Sequence, residues 1–251
     1  MKRRDLLNLL LSQAIVLTSL RVKKAWATDW SYRGATGSDF WGELDPKFET
    51  CVVGQAQSPI DLDGVYSGFG DLVLDYRDTP LKITNNDRTI RIDPQPGSSL
   101  ILDGQKYDLL QFHFHHPSEH LISGLAFEME AHFVHQSQAT EDLVVLAVLM
   151  SEGDINRALA EIWQRIPPSN RQTEVSDLII NACDLLPQNI DRYYRYSGSL
   201  TTPPCSENVT WLVLKQPVEI SKSQRDRFLQ VIGTNARPVQ PLNQRRLLRS
   251  N

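Results

Sequence analysis

Apolar and polar residues alternate with a period of two over much of residues 72–148, as in β-strands with one buried face. Residues 81–84 and 89–92 alternate in this way, and residues 143–149 are almost wholly apolar, like a strand buried on both faces. Between the first two runs, the Asn-Asn-Asp sequence at 85–87 has the composition of a turn. The pattern predicts a region dominated by β-strands.

Two segments have the period of an amphipathic helix. A helix capped by Asp154 is predicted over residues 155–166, because four apolar residues then share one face: Ile155, Leu159, Ile162 and Ile166. Ser221 and Gln224 have the spacing of a capping box, which predicts a second helix that runs to Val231.

The remaining segments have little periodicity. Residues 28–50 are interpreted as an arm with aromatic anchors, which are Trp30, Tyr32, Phe40, Trp41 and Phe48. Residues 199–204 form a rigid, proline-containing loop that leads into an apolar strand at 209–214. Composition does not break within 28–251, which predicts a single domain, mainly β with minor helices.

The first 27 residues have the features of a targeting segment. Arg3 and Arg4 form a basic pair, residues 6–20 are mostly apolar, and residues 25–27 offer an A-x-A cleavage site. These features favour a twin-arginine export signal; an amphipathic N-terminus of a cytosolic protein is the alternative. We predict a signal peptide over 1–27 and export to the periplasm or the extracellular space, or to the thylakoid lumen if the source is photosynthetic.

Composition narrows the class of protein. The 251 residues are 41% hydrophobic and 22% charged, which is typical of a globular protein with a substantial core. A net charge of −4 argues against a nucleic-acid partner, and no run approaches the roughly 20 apolar residues of a membrane span. In an oxidising compartment two of the three cysteines would pair, but spacing alone does not choose between Cys51, Cys183 and Cys205.

All six histidines lie between positions 113 and 135. On a strand, His113 and His115 project from one face, and Phe112 and Phe114 take the opposite face towards the core. A third imidazole from a neighbouring strand would fill three of four positions around Zn²⁺ and leave one open, as in catalytic zinc sites. A single buried histidine is more often an ordinary core residue, but the crowding favours a metal. His116 has the wrong strand parity to join the pair.

A zinc site of this kind needs polar side chains that hold each imidazole in orientation. Gln111 lies two residues before His113 and therefore on its face of the strand. Glu130 stands in the same relation to His132, and Glu119 lies in the loop between the two groups of histidines.

Six segments carry a close resemblance to the α-class carbonic anhydrases. In family order over nearly all of residues 28–251 they are QSPIDL at 57–62, QFHFH at 111–115, SEH at 118–120, EAHFVH at 130–135, YSGSLTTPPCSENVTW at 196–211 and ARPVQPLN at 236–243. The resemblance implies that residues 28–251 form an α-carbonic anhydrase catalytic domain. Its fold would be a twisted, mostly antiparallel central sheet of about ten strands, which argues against a hairpin turn at 85–86.

The resemblance also implies an activity, the reversible hydration of carbon dioxide to bicarbonate and a proton by zinc-bound hydroxide. The implied zinc ligands are His113, His115 and His132, supported by Gln111 and Glu130. Thr201 would accept the hydrogen bond of the hydroxide and pass its own proton towards Glu119. The substrate would lie against Thr202, Val134, Val145, Leu200, Val209 and Trp211.

Further positions take their roles from the same resemblance. His120 and His135 match buried structural positions beside the site. Cys51 and Cys205 match a pair that is bridged in exported members, which would leave Cys183 free.

The chain departs from the family at one position of consequence. The fastest members carry a proton-relaying histidine where this chain has Arg88, and an arginine stays protonated and cannot relay a proton. Protons would then leave through water to external buffer, or through a weaker rim group such as Tyr32. The alternatives to a carbonic anhydrase are a catalytically weak zinc-binding protein and a small-ester hydrolase on the same fold.

Overall fold

The computed structural model describes residues 29–63, 65–66 and 71–250, so the predicted signal peptide at 1–27 lies outside the described residues. The strands are β1 (Val65–Tyr66), β2 (Leu72–Asp75), β3 (Thr79–Asn85), β4 (Ile90–Ile92), β5 (Ser99–Leu102), β6 (Gln105–His115), β7 (Met129–Gln136), β8 (Leu143–Glu152), β9 (Arg171–Ile180), β10 (Tyr193–Ser199), β11 (Glu207–Ile220) and β12 (Leu248–Arg249). The α-helices are α1 (Trp41–Leu44), α2 (Thr50–Val53), α3 (Arg157–Trp163) and α4 (Lys222–Val231). Short 3₁₀ turns occupy Gly34–Thr36, Ser38–Phe40, Pro46–Phe48 and Ala182–Leu185. None of the described helices has the length and apolar character needed to span a membrane.

The twelve strands of the described chain form one twisted sheet in the order β1-β12-β10-β11-β8-β7-β6-β4-β3-β9, with β5 beside β6 and β2 beside β5. Most neighbouring strands are antiparallel; β8 and β11 run parallel, as do β1 and β12. This confirms the predicted fold class. Two of the twelve strands, β1 and β12, are only two residues long.

The alternation of β6 separates two different surfaces of the sheet. Phe112 and Phe114 are fully buried on the face that packs against the helices, where Phe114 meets Trp163 of α3 at 4.8 Å between ring centroids. Trp163 in turn stacks on Phe228 of α4 at 5.9 Å. A separate apolar cluster, which includes Trp211, covers part of the opposite face. The histidines of β6 therefore face away from the larger core, as their strand parity predicts.

The expectation that residues 85–86 do not form a hairpin turn is wrong. Strands β3 and β4 pair directly, with Asn85 opposite Ile90, and the chain reverses between them. The Asn86 side chain closes the turn by accepting hydrogen bonds from the backbone N–H groups of Arg88 (3.0 Å) and Thr89 (2.8 Å). Asp87 adopts a positive φ of 63°, which aspartate tolerates better than most residues. The turn composition read from the sequence was the better guide.

Of the two predicted helices, one matches and one is shorter than expected. Ser221 and Gln224 form the capping box that begins α4, and the helix ends at Val231 as predicted. Helix α3 begins at Arg157 because the Asn156 side chain, and not Asp154, accepts the hydrogen bond from Leu159 N. Ile155 therefore lies outside the helix and is 58% exposed, whereas Leu159 and Ile162 are buried.

Candidate metal centre

Three histidines converge on the sheet face opposite the larger core. His113 of β6 lies directly opposite His132 of β7, and His115 lies two pairs further along, opposite Glu130. The ring centroids are 5.0 Å apart for His113 and His115, 5.3 Å for His113 and His132, and 4.5 Å for His115 and His132. One nitrogen of each ring lies within 4.8 Å of the other two, a spacing that suits a single metal ion.

Each of these imidazoles is oriented by a hydrogen bond from its other nitrogen. His113 Nδ1 donates to Gln111 Oε1 at 2.9 Å, and His115 Nδ1 donates to the backbone carbonyl of Asn235 at 2.8 Å. His132 uses the opposite nitrogen, because its Nε2 lies 2.7 Å from Glu130 Oε1. Since every one of these partners is an acceptor, each ring keeps one unprotonated nitrogen for a metal.

The unpaired ring nitrogen of His115 is the observation that most strongly favours a metal ion at this site. Its Nε2 atom is buried and has no hydrogen-bond partner among the described residues. Leaving a buried polar atom unpaired is costly, and so such atoms usually have a functional reason. The donor set of three neutral imidazoles therefore fits a zinc ion.

Burial favours the neutral form of two of these imidazoles, His113 and His115. Burial, and after it the charges of His115 and His132, holds the pKa of His113 well below its ordinary value. Burial also lowers the pKa of His115, against the opposing charge of Glu119. A neutral imidazole is the form that binds metal, so the lowered pKa values of these two histidines favour metal binding at neutral pH.

Glu130 is the central acceptor of a buried hydrogen-bond network next to His132. Burial alone would raise the pKa of Glu130, but His120 and His132 together hold it well below its ordinary value. Its Oε2 accepts hydrogen bonds from the backbone N–H groups of Glu119 (2.9 Å) and His120 (2.8 Å). His120 continues the network from its Nδ1 to Glu130 Oε1 (2.6 Å) and from its Nε2 to the Tyr196 hydroxyl (2.7 Å). His120, Glu130 and His132 also lie close enough to hold a metal, but hydrogen bonds account for this group.

The other two histidines are engaged elsewhere. His116 Nδ1 donates to the backbone carbonyl of Glu128 at 2.7 Å. His135 donates from Nδ1 to Val144 O at 3.2 Å, and the Tyr76 hydroxyl lies 2.8 Å from its Nε2. Burial lowers the pKa of His135 to about 4.

Glu119 lies beside the histidine cluster, and both Glu119 and Thr201 are buried. Glu119 Oε1 accepts the backbone N–H of Arg237 at 2.8 Å and lies 3.5 Å from His115 Nδ1. Glu119 Oε2 is 3.9 Å from His132 Nδ1 and has no hydrogen-bond partner among the described residues. This oxygen is free to accept the hydrogen bond that the resemblance assigns to Thr201.

One side of the cluster is an apolar wall. In the next row of the sheet, Val134 is opposite Val145, and Val145 is opposite Trp211. The Trp211 indole donates to Ser199 O at 2.9 Å, which ties the wall to the start of the loop that carries Thr201. The five apolar residues predicted to contact the substrate belong to one packed cluster: Val134, Val145, Leu200, Val209 and Trp211. Thr202 is half-buried in the adjoining loop.

The loop that carries Thr201 is joined to the N-terminal arm by a disulfide. Cys51 and Cys205 are bonded, with their Cα atoms 5.0 Å apart, and Cys183 is a free, exposed cysteine. Both bonded cysteines pack against Trp41, which is fully buried. Trp41 therefore anchors the N-terminal arm to the protein beside the disulfide.

At the rim, Arg88 is held by the arm. Its Nε donates to Trp30 O at 3.0 Å, one Nη donates to Asp29 at 2.5 Å, and its guanidinium lies 4.6 Å from the centroid of the Trp30 ring. Tyr32 packs against Trp30, and burial raises its pKa well above the ordinary value.

Sequence reasoning missed Asn235 and Arg237, which hold His115 and Glu119 in place. The signal was present, because the matched segment at 236–243 contains Arg237 and begins one residue after Asn235. Arg237 is 3% exposed, and its guanidinium donates to Gln57 Oε1 (3.0 Å), Ser58 O (2.8 Å) and Cys51 O (2.8 Å). Nothing local to these two residues predicts contact with positions more than 100 residues earlier.

Comparison with known proteins places these features in one family. A family model described as eukaryotic-type carbonic anhydrase matches residues 36–251. A carbonic anhydrase of Nostoc sp. is 43% identical over 97% of this chain and 96% of its own length. A carbonic anhydrase of Neisseria gonorrhoeae is 41% identical over 87% of this chain and 86% of its own.

Solved structures give the same picture. A hyperthermostable carbonic anhydrase from an active hydrothermal vent chimney matches with a TM-score of 0.86 and 42% identity, covering 89% of this chain and 100% of the other. The α-carbonic anhydrase of Thermovibrio ammonificans, solved in complex with the inhibitor sulfanilamide, matches with a TM-score of 0.85 and 40% identity over the same shares.

Proposed function

This chain belongs to the α-class carbonic anhydrase family and is an enzyme that interconverts carbon dioxide and bicarbonate; from this premise, we propose that His113, His115 and His132 hold its zinc ion. The observation that carries the proposal is the buried, unpaired Nε2 of His115, which shares its space with one free nitrogen of each of the other two rings. When bound, zinc supplies a Lewis acid that lowers the pKa of a water molecule, an effect for which carbonic anhydrase is itself the standard example.

The three hydrogen-bond acceptors hold the rings of the proposed ligands in fixed orientations. The Gln111 amide oxygen and the Asn235 carbonyl accept N–H groups and are neutral, whereas Glu130 is a carboxylate. We assign Glu130 the additional task of making His132 a stronger donor, because a charged acceptor increases the basicity of the far ring nitrogen.

We assign proton handling at the reacting oxygen to Thr201 and Glu119. Glu119 is fixed through Oε1, and its unpartnered Oε2 is available to accept a hydrogen bond from the Thr201 hydroxyl. Because the Thr201 hydroxyl donates its proton to the hydrogen bond with Glu119, the Thr201 oxygen can only accept a hydrogen bond from the nucleophilic oxygen. This hydrogen bond orients a lone pair of the nucleophilic oxygen towards carbon dioxide. Thr202 provides the neighbouring hydroxyl.

The substrate has no charge and little polarity, and the apolar wall suits it. Val134, Val145 and Trp211 exclude water from one side of the cluster without offering a hydrogen bond. A small linear molecule is therefore favoured over a bulky ester, and ester hydrolysis is assigned as a side activity.

We also propose that the chain is exported, with residues 1–27 removed and residues 28–251 as the catalytic domain. The disulfide between Cys51 and Cys205 supports an oxidising compartment, since such bonds persist there and are rare in the cytosol. The basic, paired-arginine N-terminus favours the twin-arginine route to the periplasm.

The test compares two reactions on one zinc-loaded preparation. We expect fast hydration of carbon dioxide, slow hydrolysis of an activated ester, about one zinc per chain, and inhibition of both reactions by an arylsulfonamide. Faster ester hydrolysis than hydration would favour the esterase, and the absence of both reactions with zinc bound would favour a binding protein. Absence of zinc would contradict the proposed ligands.

A further inference from the structure

A cation lies on the wall of the histidine cluster, opposite the apolar residues. Arg91 of β4 is directly opposite His113 of β6, and His113 is directly opposite His132 of β7. Residues that are directly opposite in antiparallel strands project from the same face of the sheet. Arg91 therefore belongs to the row of side chains that contains the proposed metal ligands.

The side chains that continue this row beyond Arg91 are also polar. Along the same row, Thr84 of β3 lies opposite Arg91, and Gln172 of β9 lies opposite Thr84. The wall on this side is thus polar throughout, in contrast to the wall that contains Trp211.

The Arg91 guanidinium forms only part of the hydrogen bonds that it could donate. Its Nε lies 2.9 Å from Asp93 Oδ1 without hydrogen-bond geometry, and one Nη donates to Asp93 Oδ2 at 3.2 Å. The Arg91 side chain is 40% exposed, and within the described chain its other Nη makes no hydrogen bond. Asp93 is itself held by Gln172, which donates from Nε2 to Asp93 Oδ2 at 3.2 Å. Arg88, the nearby rim cation, is instead bound to the arm.

We propose that Arg91 forms an anion subsite for the carboxylate of a small ligand whose other end reaches the histidine cluster, and that Asp93 limits its strength by competing for the guanidinium. A planar guanidinium is the side chain best matched to a carboxylate. Bicarbonate and larger ligands that carry a carboxylate share this chemistry. The proposal rests on the zinc site proposed above.

The test measures binding, because activity would report several steps together. Dissociation constants of 3- and 4-sulfamoylbenzoate for the zinc-loaded protein are measured by calorimetry, each beside its uncharged sulfamoylbenzamide. Arg91→Gln should weaken at least one benzoate by about three- to tenfold, the size of a partly exposed ion pair, with each amide within about twofold. Asp93→Asn should strengthen the same benzoate by about threefold, because it frees the guanidinium. Both effects should shrink in high salt.

A matched control is available elsewhere in the chain. Asp75 and Arg77 form an exposed pair with the same two-residue spacing, 3.4 Å apart, on and after β2. Arg77→Gln and Asp75→Asn should leave every dissociation constant unchanged. Benzoate binding that Arg91→Gln and Asp93→Asn leave unaltered, with normal amide binding, would overturn the subsite. Failure of the amides to bind the unaltered zinc-loaded protein would instead overturn the zinc site, and the subsite with it.

Discussion

The backbone N–H of Arg237 donates to Oε1 of Glu119 at 2.8 Å, although 118 positions separate the two residues. The guanidinium of the same arginine holds the segment at Cys51, Gln57 and Ser58, and burial lowers its pKa to about 10. One residue therefore links the orientation of a proposed catalytic carboxylate to the disulfide-bonded arm.

This link predicts a large loss of stability on Arg237→Met. Three buried acceptors would lose their donor, which we expect to reduce the free energy of unfolding by about 3 kcal/mol. Urea unfolding measures the change. Arg77→Met, at an exposed arginine, should change it by less than about 0.5 kcal/mol. Equal effects of the two variants would contradict the role given to Arg237.

The proposed zinc ligands predict a sharp difference between neighbouring histidines. His132→Ala should remove most of the zinc and nearly all carbon dioxide hydration, because it deletes one of three nitrogen donors. His116→Ala should keep both, since His116 hydrogen-bonds to Glu128 away from the cluster. Metal analysis of the purified variants decides the matter, and full zinc in His132→Ala would refute the assignment.

The disulfide predicts a measurable gain in stability. Cys51 and Cys205 close a loop with a sequence separation of 154, for which the chain-entropy account gives about 5 kcal/mol, with measured values often smaller. Cys51→Ser with Cys205→Ser should therefore unfold at a lower urea concentration. Thiol mapping of the exported protein should find Cys183 alone free. Alkylation of Cys205 in that material would argue against the bridge.

His135 predicts a loss of stability in mild acid. Its pKa is about 4 in the folded protein and about 6.5 when unfolded, so between these values only the unfolded chain binds the proton. The contribution of neutral His135 is complete above about pH 6.5 and is lost as pH falls towards 4, a total of about 3 kcal/mol. His135→Gln keeps an acceptor for the Tyr76 hydroxyl and should show a flatter dependence of unfolding free energy on pH between 4 and 6.5. Parallel curves for the two proteins would contradict the prediction.

Arg88 predicts that proton removal limits turnover. The Arg88 side chain cannot relay protons, and the structure ties it to Asp29 and Trp30. Turnover should rise with the concentration of an imidazole buffer, and Arg88→His should raise turnover at low buffer by about tenfold while kcat/KM stays nearly unchanged. Steady-state carbon dioxide hydration across buffer concentrations measures both. Fast, buffer-independent turnover of the natural protein would mean that another group carries the proton.

Features encoded within a few neighbouring residues were predictable from the chain alone. Successive residues of a strand take opposite faces, so their order along β6 determined which side chains face the core. These residues are Phe112, His113, Phe114 and His115. Ser221 and Gln224 determined the start of α4, because a capping box is satisfied within one helical turn. The turn composition at 85–87 was likewise a correct local signal.

Tertiary structure decided what depends on distant partners. Helix α3 starts at Arg157 because Asn156 is held from α4, where Gln224 Oε1 accepts the Asn156 N–H at 3.0 Å. Asn235 orients His115, Arg237 holds Glu119, and Arg91 faces His113, although no local pattern relates these residues. Hydrophobic periodicity specifies which face of a strand is buried, but strand order and register, which bring the side chains of different strands together, are selected by the packing of the whole sheet.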